Sequence, residues 1–104
     1  MTVLESDRVP ARHIVAVEVD GDEYVVWRGG SGALGSAPRR CPHLDWDLTE
    51  GTVVGDDLVC TGHGWSFDCR GHAFKRTEAG RIDPKDDIDT VRIVEADGKI
   101  ALSR

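Results

Sequence analysis

Four residues of this chain have the types and spacing to hold metal. Cys41 and His43 lie in the run Cys41-Pro42-His43-Leu44, and Cys60 and His63 in the run Cys60-Thr61-Gly62-His63-Gly64-Trp65. Each run offers one thiolate and one imidazole inside a tight turn, so together they supply two of each. A single zinc ion in a finger gathers two cysteines from one short loop and two histidines from one helical turn, whereas both loops here are mixed. A mixed loop suits two metal centres, each loop giving its sulfur to one and its nitrogen to the other. A mononuclear zinc site is the other reading of the same residues. A lone Cys or His is more often an inert core or surface residue, but here four stand in register, with Pro42 and Gly62 between them to shape the loops.

At these residues the chain resembles the Rieske family, whose pattern is Cys-x-His, an interval like the sixteen residues between His43 and Cys60, then Cys-x-x-His. In that family a [2Fe-2S] cluster is held with two His replacing two Cys on one iron. The resemblance therefore assigns Cys41 and Cys60 to one iron and His43 and His63 to the other. It also implies an all-β fold, a small antiparallel sandwich or barrel with a cluster-binding subdomain of two loops, about 41–46 and 60–66, at one tip. Respiratory-chain members add a cysteine to each loop, at positions that here hold Trp46 and Gly62. Such a cross-link is absent from this sequence, which resembles the soluble branch that serves oxygenases.

High-potential members of the family place a Ser and a Tyr where this chain has Trp65 and Phe67, and both donate hydrogen bonds to the cluster sulfurs. Phe67 has no donor to give, and the indole of Trp65 offers one in a different place. Donors of that kind stabilise the more negative reduced state. Without them the potential is expected near the low end of the Rieske range, about −150 mV.

A chain of 104 residues is expected to form one domain, 1–104, large enough for a modest core. Rieske oxygenases follow a similar module with a long catalytic domain holding a mononuclear iron. No such extension follows Arg104, and the remaining His13 and His72 have no ligand-like spacing, so substrate oxidation by this chain is not expected. Nineteen acidic against thirteen basic residues leave a formal charge of −6, which opposes nucleic-acid binding and favours a partner with a positive face. A solvated surface that keeps the protein soluble explains the same acidity. The runs around Asp45 and Asp47, and Asp83, Asp86, Asp87 and Asp89, are read in the same two ways. No apolar stretch has the length of a membrane span and the first ten residues hold no signal peptide, so the expected location is the cytoplasm. Cys69, left unpaired, fits a reducing compartment and, following Phe67-Asp68 in an expected strand, reads as a small packing residue.

Positioning the ligand runs falls to strands. Residues 13–19 alternate with period two and β-branched character, Asp20-Gly21-Asp22 is turn chemistry, and Glu23–Arg28 returns as the second strand of a hairpin. Gly29-Gly30-Ser31-Gly32 lacks the ending of a phosphate-binding loop and reads as a flexible hairpin tip. Residues 33–37 form a short strand into the first ligand run, and 47–51 a turn. Residues 52–54 and 58–60 form a tight hairpin, which separates the two runs in sequence while returning the chain to the same end of the sheet. A further hairpin spans 66–75, 77–87 is an irregular crossover, and 90–95 with 100–102 closes the chain around Asp97-Gly98.

The expected function is that of a Rieske-type ferredoxin, not itself catalytic. As the resemblance implies, it carries one electron at a time from a flavin-containing reductase to a terminal oxygenase, as a monomer making transient complexes. Leu44 and Trp65 would shield the cluster or complete the docking face. Two other readings stand beside it: the small subunit of an assimilatory nitrite reductase, and a zinc-bound or metal-free interaction module with no redox role.

Overall fold

The computed structural model describes residues 2–40, 47–60, 65–76, 82–84, 88 and 90–103. Among the described residues, eleven short strands lie in three antiparallel sheets, and the only helical turns are 3-10 turns at Ser6–Arg8 and Leu48–Glu50. The all-β expectation holds.

The middle sheet explains the architecture. Strand β2 (Ile14–Val19) pairs with β3 (Asp22–Arg28), which pairs with β4 (Leu34–Pro38). In β3 the run Tyr24-Val25-Val26-Trp27 is buried without a break. Successive side chains of a strand point to opposite faces, so a continuous apolar run needs cover on both. Val25 and Trp27 pack into one core with Ala37, Leu48, Val53, Leu58, Cys60, Phe67 and Ala73. Tyr24 and Val26 pack into a second with Val9, Val17, Val19, Val91, Ile100 and Leu102. The middle sheet is thus a partition between two cores.

The second core is closed by a sheet of β1 (Thr2–Glu5), β11 (Lys99–Ser103) and β10 (Arg92–Ala96), in that order. The first core is closed by a five-stranded sheet of β5 (Thr52–Val54), β6 (Asp57–Val59), β7 (Trp65–Phe67), β8 (Ala73–Arg76) and β9 (Ile82–Pro84). Two polar clamps tie these layers. Arg28 donates to the Val9 carbonyl at 2.7 Å, to the Gly32 carbonyl at 3.0 Å and to both carboxylate oxygens of Glu95 on β10. The buried Ser36 hydroxyl accepts from the Val91 amide at 3.0 Å, joining the outer edge of β4 to the segment entering β10.

Three sequence expectations change. The crossover at 77–87 contains strand β9, which among the described residues pairs only with β8; Pro84 is tolerated there because an edge strand leaves one row of amides unused. Cys69 lies in the turn between β7 and β8 rather than in a strand. The Gly29–Gly32 loop is docked on the β5–β6 turn, with the Gly30 amide on the Gly55 carbonyl at 2.8 Å, so its tip is held and not free. Strand β1 was not legible, because four residues carry too little pattern until β11 pairs with them. Among the described residues, no helix is long and apolar enough to cross a membrane.

Candidate metal centre

Both ligand runs hang from pinched bases. The first begins where β4 ends: the Arg39 amide donates to the Glu23 carbonyl at 3.1 Å, Arg40 and Asp47 form an isolated antiparallel bridge, and the Leu48 amide donates to the Arg39 carbonyl at 2.7 Å. The chain therefore leaves at Arg40 and returns beside it at Asp47, enclosing 41–46.

Asp47 caps the 3-10 turn that follows. Its carboxylate accepts from the Thr49 amide at 3.0 Å and the Thr49 hydroxyl at 2.7 Å, and it meets the Arg39 guanidinium at 3.3 Å. Led by the Thr49 hydroxyl, these groups favour the charged carboxylate and push its pKa down to about 2. Arg39 also reaches Glu23 at 3.2 Å. Asp47, at the base of the first run, thus has a structural job, beyond the solvated surface or docking role that the sequence allowed.

The second run is the loop of the β6–β7 hairpin. Leu58 stands opposite Phe67 and Val59 opposite Ser66, and the Cys60 amide donates to the Trp65 carbonyl at 2.8 Å, closing the loop over 61–64. Cys60, at the root of this loop, is buried at 2% exposure among apolar side chains that include Leu48, the first residue of the turn after the first run. Gly51 brings the two bases together: a Cβ there would sit 2.7 Å from the Val59 carbonyl, so only glycine lets the backbone leaving the first run pass this close to the strand that delivers Cys60. Trp65 packs partly buried on the edge of the same core.

Cys41, His43 and His63 lie outside the described residues, as do Leu44, Asp45, Trp46 and Gly62. Among the described residues, no group of three or more His, Cys, Asp or Glu side chains is placed to hold a metal. The other candidates sit elsewhere. His13 is exposed, with Nδ1 3.1 Å from the Ala11 carbonyl, and the His72 amide donates to Asp68 at 3.0 Å across its own turn. The Cys69 thiol donates to the Asp56 carbonyl at 3.3 Å, and burial, with Asp56, Asp57 and Asp68 nearby, pushes its pKa up to about 11. A thiol kept neutral is the opposite of a metal-ready thiolate. Sequence reasoning passed over Asp56 and Ser31; Gly55-Asp56-Asp57 is a common turn signal with nothing to mark its long-range contacts.

An all-β body with two pinched loops rooted on one apolar core, each carrying a Cys and a His, is the form of a small iron–sulfur domain. Residues 1–94 match the family model described as Rieske [2Fe-2S] domain, and the chain belongs to that family. The group such a domain carries is a [2Fe-2S] cluster, and a buried cysteine at the root of a closed loop fits it as a sulfur donor. The chain is 36% identical over 78 residues to the 5,5'-dehydrodivanillate O-demethylase oxygenase subunit of Sphingobium sp., covering 74% of this chain and 18% of that protein. It is 40% identical over 67 residues to the 4beta-methylsterol monooxygenase of Methylococcus capsulatus, covering 64% and 18%. The chain spans from 11% to 20% of the length of such curated relatives. In fold it is similar to the ferredoxin of carbazole 1,9a-dioxygenase from Nocardioides aromaticivorans, with a TM-score of 0.75 and 24% identity over 99% of this chain and 95% of that one. It is also similar to dicamba monooxygenase, with a TM-score of 0.80 and 20% identity over 96% of this chain and 31% of that one.

Proposed function

We propose that this protein is a one-electron carrier of the Rieske ferredoxin kind, a single domain over 1–104 that holds its cluster through Cys41 and Cys60 on one iron and His43 and His63 on the other. The observation that carries the reading is the pair of pinched loops: Arg40 bridged to Asp47 and Cys60 bonded to Trp65, with Leu48 and the buried Cys60 in one core. When bound, a cluster with four protein ligands supplies a site for one electron and leaves no open position for substrate. The protein's own part is to hold two loops at a set separation and to keep water from the Cys60 sulfur with Leu48, Leu58 and Phe67. The partners in this reading are a flavin-containing reductase as donor and a terminal oxygenase as acceptor. Support comes from the match in extent to the carbazole dioxygenase ferredoxin and from a solved complex of such a ferredoxin with its oxygenase. The place of work in this reading is the cytoplasm.

The oxygenase relatives favour a second reading, in which the same cluster is the electron-entry module of a larger oxygenase. The cluster has the same job in both.

The test is to purify the protein anaerobically, measure iron and zinc, and record visible and EPR spectra before and after dithionite. Two irons per chain, a red-brown colour and a reduced signal with an average g below that of all-Cys [2Fe-2S] ferredoxins are expected. Cys41→Ser, Cys60→Ser, His43→Ala and His63→Ala should each lose that spectrum, while Cys69→Ser keeps it. Retention of the native spectrum by Cys60→Ser overturns the ligand set, and a colourless zinc protein overturns the function. Reduction of cytochrome c by a flavin-containing reductase only when this protein is added would separate a free carrier from an entry module.

A further inference from the structure

The β5–β6 turn, at the opposite end of β6 from Cys60, is held by more groups than a two-residue turn needs. The Asp56 carbonyl accepts from the Trp27 indole at 2.9 Å and from the Cys69 thiol at 3.3 Å. Its carboxylate accepts from the Ser31 amide at 3.0 Å and from the Ser31 hydroxyl at 2.8 Å. The Gly55 carbonyl accepts from the Gly30 amide. These donors come from two stretches that are separate in sequence: the end of β3 with the Gly29–Gly32 loop that follows it, and the β7–β8 turn. Gly29 leaves the room: a Cβ there would lie 2.5 Å from the Asp56 Cα.

Strand β6 has only three residues, and strands this short fray unless they are fixed at their ends. One end is closed by the Cys60 to Trp65 hydrogen bond and the other by these contacts. Cys60 stands four residues from Asp56, about 13 Å along an extended chain. The middle sheet is anchored independently to the β1–β11–β10 sheet through Arg28 and Ser36. The Asp56 turn is a polar tie between that anchored body and the sheet whose loop carries Cys60.

We propose that the Asp56 turn is a positioning latch, which through Ser31 and Trp27 fixes the five-stranded sheet on the middle sheet and so sets the geometry at Cys60 and the presentation of the cluster loops to a redox partner. This rests on the assignment of Cys60 as a ligand. Releasing the latch should loosen the five-stranded sheet selectively, because the second core and its clamps lie on the other side of β3.

The test uses the cluster-loaded protein and hydrogen exchange read by mass spectrometry. In Asp56→Ala, peptides spanning 52–60 and 65–76 should exchange about tenfold faster, as expected for loss of hydrogen bonds to a charged group at a half-exposed site, while peptides spanning 14–28 and 92–103 keep their protection. Reduced EPR lines should broaden as the ligand geometry spreads. Asp56→Asn, which keeps an oxygen for the Ser31 amide, should restore most of both readouts. Gly29→Ala, which displaces the turn while removing no donor or acceptor, should reproduce the Asp56→Ala pattern. Uniform acceleration across all peptides, or none in either variant, overturns the latch. Exchange without EPR broadening overturns the control of Cys60 geometry where Cys60→Ser abolishes the cluster spectrum, and overturns the ligand set where Cys60→Ser leaves that spectrum intact.

Discussion

Cys69 gives the sharpest test of the electrostatics around the five-stranded sheet. Its thiol is half-buried, donates to a backbone carbonyl and stands near three carboxylates, and its pKa is pushed from 9.0 to about 11. At pH 8 a thiol titrating at 9.0 is about one-tenth thiolate, and one titrating at about 11 is about one-thousandth, a ratio of about 100. Because the thiolate is the nucleophile, alkylation of Cys69 by iodoacetamide in the folded, cluster-loaded protein should run at least about 100-fold slower than in the urea-unfolded chain. Partial burial slows it further. The rate should still climb about tenfold per pH unit between pH 9 and pH 10. Peptide mass spectrometry isolates the Cys69 signal from thiols released by any cluster loss. A folded rate within about tenfold of the unfolded one, or a plateau near pH 9, would refute both the burial and the charge argument. The linkage has a definite sign: the folded thiol titrates above the unfolded one, so the contribution to stability is whole below about pH 9 and is lost as pH rises through about 11.

Asp47→Ala removes a cap and an ion pair beside the first ligand run, and should lower stability by about 1 to 2 kcal/mol, read as a shift of the urea midpoint at unchanged slope. Because the folded carboxyl titrates near 2, the gap to wild type should be fully open above about pH 4 and shrink as pH falls toward about 2; a gap indifferent to pH would count against the cap. Ser36→Ala orphans the buried Val91 amide and should cost about 1 to 3 kcal/mol, whereas a loss under about 0.5 kcal/mol would mean that the clamp contributes nothing. With Phe67 buried and lacking a donor, a redox titration at neutral pH should give about −150 mV, and a clearly positive value would overturn that reasoning.

Much of the strand content was legible because alternation in 14–19 and the continuous run at 24–27 are local signals. The hairpin expected from 52–54 and 58–60 was equally plain, its second strand beginning one residue earlier, at Asp57. What could not be read were elements whose stability comes from a distant partner. Strand β1 takes its definition from β11, nearly the whole chain away, and β9 carries a proline that only an edge position excuses. The glycine loop looked free because nothing in Gly29-Gly30-Ser31-Gly32 says that Asp56 lies against it.

The sequence by itself determined which residues could do chemistry, Cys41, His43, Cys60 and His63 in two mixed runs, together with an alternation that favours strands and a hairpin at 52–60 between the runs. Those are properties of residue type and short spacing, which need no fold to be counted. Only the tertiary structure decided that β3 is covered on both faces, that Leu48 and Cys60 share one core, that Asp47 is a cap, and that the turn at Asp56 is tied to the body. Each of these depends on which distant segment fills the space beside a residue, and packing of that kind is set by the whole chain closing on itself.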